Sequence, residues 1–521
     1  MKLDEAKQIT APVLAVVPRL DETTASTRPV LAWHNSTGGR GGMRYILQID
    51  TTLEFTGADL MEWPDIPETQ SITSFRPKAG CELKDQTYYY WRVAAIDSDG
   101  EKSQWGKEIG GITARFYVNS SAYQEFFGVR VPATEITATS GSGSEKIQDY
   151  DESGVTYWEG AADDEGHWVK FDLGYKTAIS RIWLLCGLAG WYGQKNREYA
   201  YLNQDTDLTG RLTVYKWEYS NDEKHWTEVP HSRVIGSDAF RRDLIFPEPV
   251  CARYFRLNIT KWIGLAPRIH EVTFYRKGQP EMPETLEREK DNYVLVIGTY
   301  CSEQMNHNTE LRDALLGLKG HMALPWDLEV VEVPANKMSW EVLSSMDPKP
   351  VAICLTGSSR WGEMLPRFEY NGVFEIIRNT DMPVLGVCNG HQLLALQEEI
   401  TFVRNMGRSY YSDTVESLLH EDIPSVLIEK ADPIFSGMTN PFFGPEYHSW
   451  SIDVMPEGFE VLATSKDHQG YKCIEVIKAK DRLIYGTQFH PEKPFPWNGS
   501  KMILVNFLYL SLIRRDTQDD M

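Results

Sequence analysis

The sequence predicts a multidomain chain: two all-β domains in the first half, then an α/β domain built on a doubly wound parallel sheet. Three observations lead there. Short β-rich runs separated by turn residues fill residues 1 to about 280, with period-two alternation in Met43 to Ile49 and Thr87 to Ile96. From about Asp291 onward, short continuous apolar runs alternate with helical or loop material, the pattern of strands buried on both faces. A Pro- and Glu-rich stretch, Lys277 to Glu284 (KGQPEMPE), separates the two regimes. The expected divisions are residues 1–117, 118–280, a linker at 281–290, and 291–521. At 521 residues the chain is long enough for several domains, each with its own core.

Bulk properties exclude several function classes. The formal net charge is -21, from 53 basic and 74 acidic side chains, and such a surface repels phosphate backbones and anionic lipid. Nucleic acid is therefore not an expected partner. No apolar run approaches the roughly 20 residues that span a bilayer. The start, Met1 to Glu5 (MKLDE), has no apolar core of a signal peptide. The expectation is a cytoplasmic protein as the sequence stands, or a secreted or periplasmic one if a leader has been removed. Seven scattered cysteines (81, 186, 251, 301, 354, 388 and 473) form neither a disulfide framework nor a CxxC pair, so reduced thiols and no metal site are expected.

In residues 1–117 the strand candidates are Pro29 to Trp33 (PVLAW), Met43 to Ile49 (MRYILQI) and Thr87 to Ile96 (TYYYWRVAAI), the last closed by the turn Asp97 to Gly100 (DSDG). With Ser103-Gln-Trp105 behind it, this order resembles fibronectin type III-like modules that lead bacterial glycoside-degrading enzymes. The resemblance rests on core positions and implies a β-sandwich without chemistry.

Residues 118–280 contain Gly166 to Gly174 (GHWVKFDLG), Ile179 to Leu184 (ISRIWL), Leu212 to Ser220 (LTVYKWEYS), Asp222 to Trp226 (DEKHW) and Arg253 to Asn258 (RYFRLN). The W-x-x-x-D-L-G strand, the S-x-D-x-x-x-W hairpin and the R-Y-x-R-L strand resemble the discoidin family, the coagulation-factor C-type jelly roll. The resemblance implies ligand binding, often of glycans, through loops at one end of the barrel. It also implies a structural calcium in some members, whose ligands cannot be carried over residue by residue. The Gly- and aromatic-rich insertion from Cys186 to Asp207 is a candidate loop of this kind, with Trp191 and Tyr192 as candidate glycan contacts. Packing of a long loop by its own aromatic rings is the competing reading. No residue of this region has an evident catalytic partner.

The chemistry is concentrated further on. The strand candidate Pro383 to Val387 (PVLGV) runs into Cys388 to Gln392 (CNGHQ) and a helical Leu393 to Leu396 (LLAL). Strand, sharp turn, helix is the layout of a nucleophile elbow, and the tight turn needs small neighbours, which Gly386 and Gly390 supply. A helix starting after Cys388 aims its positive end at the sulfur and favours the thiolate, while the Asn389 amide can donate to an oxyanion. G-x-C-x-G-H-Q resembles the signature of the class I glutamine amidotransferases. About 100 residues further on stands the family's second mark, Gln488 to Glu492 (QFHPE). The resemblance implies Cys388 as nucleophile, His490 as base and Glu492 as the acid that orients the imidazole. It further implies substrate contacts from Gln392 and from the backbone of His448-Ser449, and an oxyanion contact from Gly357. Two departures stand out: the turn after Leu355 reads Thr356 to Trp361 (TGSSRW) in place of a Ser-Gly-Gly-Pro-like turn, and Gln397 to Ile400 (QEEI) replaces a Gly-Gly turn.

The triad therefore leads to an amidohydrolase that cleaves the γ-amide of glutamine through a γ-glutamyl thioester. No cofactor is needed for that chemistry. Family members deliver the ammonia to a synthetase; no GxxxxGK[ST] motif is present, so the acceptor would be a separate chain. Two alternatives stay open: hydrolysis of another γ-glutamyl or amide substrate on a polymer or glycan, and a non-catalytic scaffold that binds carbohydrate or protein.

Overall fold

The computed structural model describes all residues except 1–7, 18–21, 25, 70–71, 108–112, 121–127, 149–155, 163–165, 188–208, 237–240, 279–291, 300–308, 319–327, 359–366, 397–402, 406–424, 447, 449, 453–454, 467–471, 494–498 and 520–521. The described residues fall into two compact units that divide after Gly278.

The first unit is all-β. Its N-terminal module is a sandwich of a three-stranded sheet (Val13–Val17, Leu31–His34, Ile72–Phe75) and a five-stranded sheet (Glu22–Thr24, Ala114–Val118, Thr87–Ile96, Arg44–Asp50, Met61–Pro67). Alternation along Thr87–Ile96 sends Tyr89, Trp91, Val93 and Ala95 inward, where they meet Trp33, Tyr45, Leu47 and Phe116. Buried tyrosine hydroxyls find partners: the Lys84 N–H donates to Tyr89 Oη at 2.8 Å, and Tyr45 Oη donates to Glu68 at 2.7 Å.

The second module is a nine-stranded arrangement dominated by two long strands, His167–Cys186 and Arg241–Trp262. They pair antiparallel along most of their length, with register shifts between Asp172 and Thr177 and between Ile179 and Arg181. At the first shift Gly174 has φ +78°, and a Cβ there would lie 2.8 Å from the Thr134 methyl. Such bulges let one strand bend and serve both layers of a jelly roll.

The recurrent residues of this module turn out to hold one another. Asp172 of the D-L-G mark accepts from Arg253 Nε and Nη2, both at 2.7 Å, and from the Gly174 N–H at 2.7 Å. Asp222 of the hairpin accepts from the Lys224 and His225 backbone N–H groups at 2.9 and 2.8 Å. Arg256 lies 4.1 Å over the Trp226 ring and donates to Glu218 at 3.1 Å through Nε. The Asp172 and Arg256 marks are therefore ties between neighbouring strands, and Asp222 closes the hairpin turn.

The second unit carries a nine-stranded sheet in the order Glu329–Pro334, Tyr293–Gly298, Ala352–Leu355, Val384–Val387, Ile484–Thr487, Lys472–Ala479, Phe459–Lys466, Ser425–Ile428, Phe442–Phe443. The first five are parallel, four of them as their continuous apolar runs predict. Tyr293, Leu295 and Ile297 enter a core with Phe374, Ile377 and Leu393, while Val294 and Val296 enter another with Leu311, Leu315, Leu504 and Phe507. Helices Trp340–Ser345, Asn371–Asn379 and Asn389–Leu396 supply the first face, Thr309–Leu316 and Lys501–Asp519 the second. The sequence reading did not include Ile484–Thr487 or the other four strands, which pair antiparallel. Only residues 467–471 and 480–483 connect three of the successive strands, too few for the crossover of a dozen or more residues that a parallel pair needs.

The Asp172 tie yields a pH-dependent prediction. The Arg253 hydrogen bonds, opposed by partial burial, hold the Asp172 carboxyl below its usual range. A lowered carboxyl stabilises the fold above its unfolded-state value of about 3.9, and the gain disappears as pH falls through the folded-state value. Asp172→Asn should lower the melting temperature of the β-rich unit at pH 7 by on the order of 5 °C. In calorimetry of the intact chain, that gap between variant and wild type should narrow as the pH falls through the folded-state value. A gap independent of pH would refute the ion-pair account.

Candidate active site

Cys388 leaves the strand Val384–Val387 and opens the helix Asn389–Leu396 with φ 51°, a left-handed conformation uncommon for a side chain with a Cβ. Such a residue costs on the order of 1–3 kcal/mol and persists only where its surroundings over-determine it. Here they do. The Cys388 N–H donates to Thr487 O at 2.8 Å, the Gly390 N–H to Thr356 O at 3.1 Å, and the Gln392 N–H to Cys388 O at 3.0 Å. A Cβ on Gly386 would lie 2.6 Å from the Gly390 carbonyl carbon, and one on Gly390 would lie 2.5 Å from Leu355 O. Both glycines that the tight turn predicts are sterically required.

His490 follows the strand Ile484–Thr487, the parallel neighbour of the nucleophile strand, with Val387 opposite Thr487. Its backbone N–H is anchored on Pro445 O at 2.8 Å. Nδ1 lies 2.6 Å from Glu492 Oε1, and the ring lies close enough to Cys388 to feel its charge. Cys388, His490 and Glu492 are each 5% exposed. Burial disfavours the charged ring, but the Glu492 carboxylate and the Cys388 sulfur outweigh it and push His490 up to about 10. A charged imidazolium beside the sulfur is the arrangement that makes a cysteine nucleophilic.

Gly357 completes the centre. A Cβ on it would meet His490 Cε1 at 2.9 Å and Cys388 Cβ at 3.4 Å, so its backbone lies against both reacting groups. The Asn389 side chain is turned back into a buried network that the sequence did not reveal. Asn389 Nδ2 donates to Thr299 Oγ1 at 2.9 Å, and Thr299 Oγ1 donates to Thr356 O at 3.0 Å. The Thr299 N–H donates to Thr356 Oγ1 at 3.1 Å, and Tyr370 Oη donates to Thr299 O at 2.9 Å. This network locks the ends of strands Tyr293–Gly298 and Ala352–Leu355 against the nucleophile helix.

Gln392 is buried and donates through Nε2 to Gln488 Oε1 at 3.3 Å. His448 is buried with its Nε2 against Glu446 Oε2. Nearby stands Glu475, whose Oε1 accepts from Ser465 Oγ at 2.7 Å; burial pushes both the Glu446 and the Glu475 carboxyls up to about 8. His391, the fourth residue of CNGHQ, is fully buried, and burial pushes it down to about 3. Ser449, Trp191 and Tyr192 lie outside the described residues. Cys354 and Cys473 are core residues, and burial pushes the Cys354 thiol up to about 12; Cys301 lies outside the described residues. Sequence reasoning missed Thr299, Tyr370, Glu446 and Glu475. Only Glu475 left a signal, as a lone carboxylate inside the apolar run CIEVI.

A strained cysteine elbow, a buried His–Glu pair and a doubly wound sheet define a cysteine amidohydrolase of the amidotransferase type. Comparison with known proteins agrees. The family model for class-I glutamine amidotransferases matches residues 329–509, that for the F5/8 type C domain residues 197–272, and that for the Rha78A-like N-terminal immunoglobulin domain residues 22–110. The glutamine-hydrolyzing GMP synthase subunit of Methanosphaera stadtmanae is 35% identical over 174 residues, 33% of this chain and 80% of that protein. Anthranilate synthase component 2 of Archaeoglobus fulgidus is 36% identical over 129 residues, 25% of this chain and 62% of that protein. The glutamine-hydrolyzing GMP synthase of Clostridium novyi is 32% identical over 185 residues, and the match spans 34% of this chain and only 31% of that protein. The chain belongs to the class-I glutamine amidotransferases, with an immunoglobulin-like and a discoidin domain ahead of the enzyme domain.

Gly357→Ala tests the packing of the centre. The added methyl must displace His490 or Cys388, and misplacement of about 1 Å costs roughly a hundredfold in rate. The rate constant for alkylation of Cys388 by a glutamine-mimicking diazoketone should fall by about that factor while the melting temperature changes little. An unchanged rate would show that Gly357 does not abut the reacting groups.

Proposed function

We propose that the enzyme domain hydrolyses the γ-amide of glutamine through a γ-glutamyl thioester on Cys388 and passes the ammonia to an acceptor enzyme on a separate chain. The carrying observation is the buried Cys388–His490–Glu492 constellation on two adjacent parallel strands, with Gly357 against both reacting groups. The Cys388 thiolate adds to the amide carbon, and the oxyanion receives hydrogen bonds from the backbone N–H groups of Asn389 and Gly357. Asn389 suits this role because the first N–H groups of a helix have no partner inside it. His490 then gives its proton to the departing ammonia, and the thioester remains. Water adds next, His490 accepts its proton, and glutamate leaves as the Cys388–His490 pair is restored. Glu492 holds the ring through Nδ1. Gln392 and the backbone of His448 and Ser449 contact the α-amino and carboxylate groups of the substrate.

The separate acceptor is supported by the Methanosphaera stadtmanae relative, which is named as a subunit of a glutamine-hydrolyzing GMP synthase. The two β-domains are assigned to targeting, with a glycan as ligand and, in the discoidin domain, a structural calcium. A second reading, hydrolysis of a larger γ-glutamyl amide, is favoured by the turn Thr356-Gly357-Ser358, where a serine and no proline follow the essential glycine.

The test is incubation with a glutamine-mimicking diazoketone, peptide mass spectrometry to locate the adduct, and measurement of glutamate released from glutamine, with Cys388→Ala alongside. The expected result is an adduct on Cys388 and glutamate release that the variant lacks, a loss of at least about a thousandfold. Labelling without turnover of free glutamine, also after an acceptor synthetase is added, would replace this reading by the larger-amide one. Absence of both would leave the binding-scaffold alternative.

A further inference from the structure

Beside the triad, three side chains converge whose side-chain chemistry glutamine hydrolysis does not use: Glu446, His448 and Glu475. One ligand atom from each lies within 4.8 Å of the other two. Two backbone ties bring them together: His490 N–H to Pro445 O at 2.8 Å, and Gln488 N–H to Glu475 O at 2.9 Å. The cluster therefore sits on the same supports as the loop that carries the catalytic histidine.

Its polar groups are buried in an unbalanced way. Glu475 is fully buried, and Glu446 and His448 are 6% and 8% exposed. Glu446 Oε2 meets His448 Nε2, and Glu475 Oε1 accepts from Ser465 Oγ. Glu446 Oε1 and Glu475 Oε2 remain, both buried and with no nitrogen or hydroxyl donor to either among the described residues, and the two carboxyls stand within reach of each other. Buried carboxylates are normally paired, hydrogen-bonded or bound to a metal. Here the basic partner at hand is His448, on Glu446, and among the described residues no lysine or arginine pairs with either carboxylate.

We propose that Glu446, His448 and Glu475 bind one divalent transition-metal ion through two carboxylates and one imidazole. The donor set of one nitrogen and two oxygens suits zinc, manganese or ferrous iron, and three protein ligands leave a position for water. Calcium and magnesium, which prefer all-oxygen shells, are the wrong class. The ion would tie residues 445–448 to the strand Lys472–Ala479 and so hold the loop of His490. Its role is positional: it touches none of the reacting atoms. The inference is independent of which amide the enzyme cleaves.

The test uses the full chain carrying Cys388→Ala, so that the catalytic thiol cannot take up metal. Chelated and dialysed protein is titrated separately with Zn²⁺, Mn²⁺ and Ca²⁺ by calorimetry, and bound metal is measured by mass spectrometry after desalting. The expected result is about one equivalent of Zn²⁺ or Mn²⁺, a rise in melting temperature with either ion, and a loss of bound transition metal of at least about tenfold in Glu475→Gln. Calcium held by the discoidin domain would be the same in both proteins and so would not confuse the count. If the Glu475→Gln chain does not fold, the titration of the parent decides alone. No saturable uptake of Zn²⁺ or Mn²⁺ by the parent, or uptake that Glu475→Gln retains in full, would overturn the proposal; in the first case the two carboxyls share a proton.

Discussion

Everything in the enzyme domain depends on one backbone conformation, the left-handed turn at Cys388. A residue with a Cβ does not hold φ 51° unaided, so the turn has to be enforced from three directions. Thr487 fixes it from the neighbouring strand, Thr356 fixes the first turn of the helix, and Leu355 leaves no room for anything but glycine at 390. The Thr299–Thr356–Asn389 hydrogen bonds then bind the supporting strand ends to one another. The parallel sheet is what makes this possible, because it delivers several strand ends to one edge, where a ligand-facing crevice forms in doubly wound folds.

Charge in this centre is set by neighbours and not by depth. His391 and His490 are both buried, and burial alone drives any imidazole toward its neutral form. His391 obeys and stays neutral, which suits a ring wedged against Gly486; a Cβ on that glycine would come 2.5 Å from His391 Nδ1. His490 departs in the opposite direction because Glu492 and the Cys388 sulfur surround it with negative charge. Two histidines at similar depth are thus assigned opposite roles, one a packing element and one a proton carrier, by what stands within hydrogen-bonding distance.

The residues legible in the sequence were those whose identity a local rule demands. The small residues around Cys388, the doublet of His490 and Glu492, and the continuous apolar strands each follow from the chemistry or sterics of a few adjacent positions. The discoidin marks were legible as a pattern, but only the structure shows that Asp172–Arg253 and Arg256–Trp226 are internal ties. The illegible parts were long-range. Thr299 and Asn389 are 90 positions apart, and Glu446 and Glu475 come from different segments. No periodicity joins them, and an isolated threonine or glutamate has no signature of its own. The antiparallel half of the sheet escaped for a related reason: pairing direction is decided by connection length, which apolar runs do not encode.

The nucleophile and its base come from strands that are neighbours in space, Val387 lying opposite Thr487. Their relative position is set by the ladder of backbone hydrogen bonds between adjacent strands, with Pro445 and Glu475 as further anchors of the base loop. Parts of the intervening stretch outside these anchors can therefore grow, shrink or be exchanged without moving the reacting atoms, provided the chain returns to the same rung. Evolution can use them as sites for new recognition surfaces, and an engineer can do so as well. The catalytic pair behaves as a fixed docking plate on which alternative front ends can be mounted.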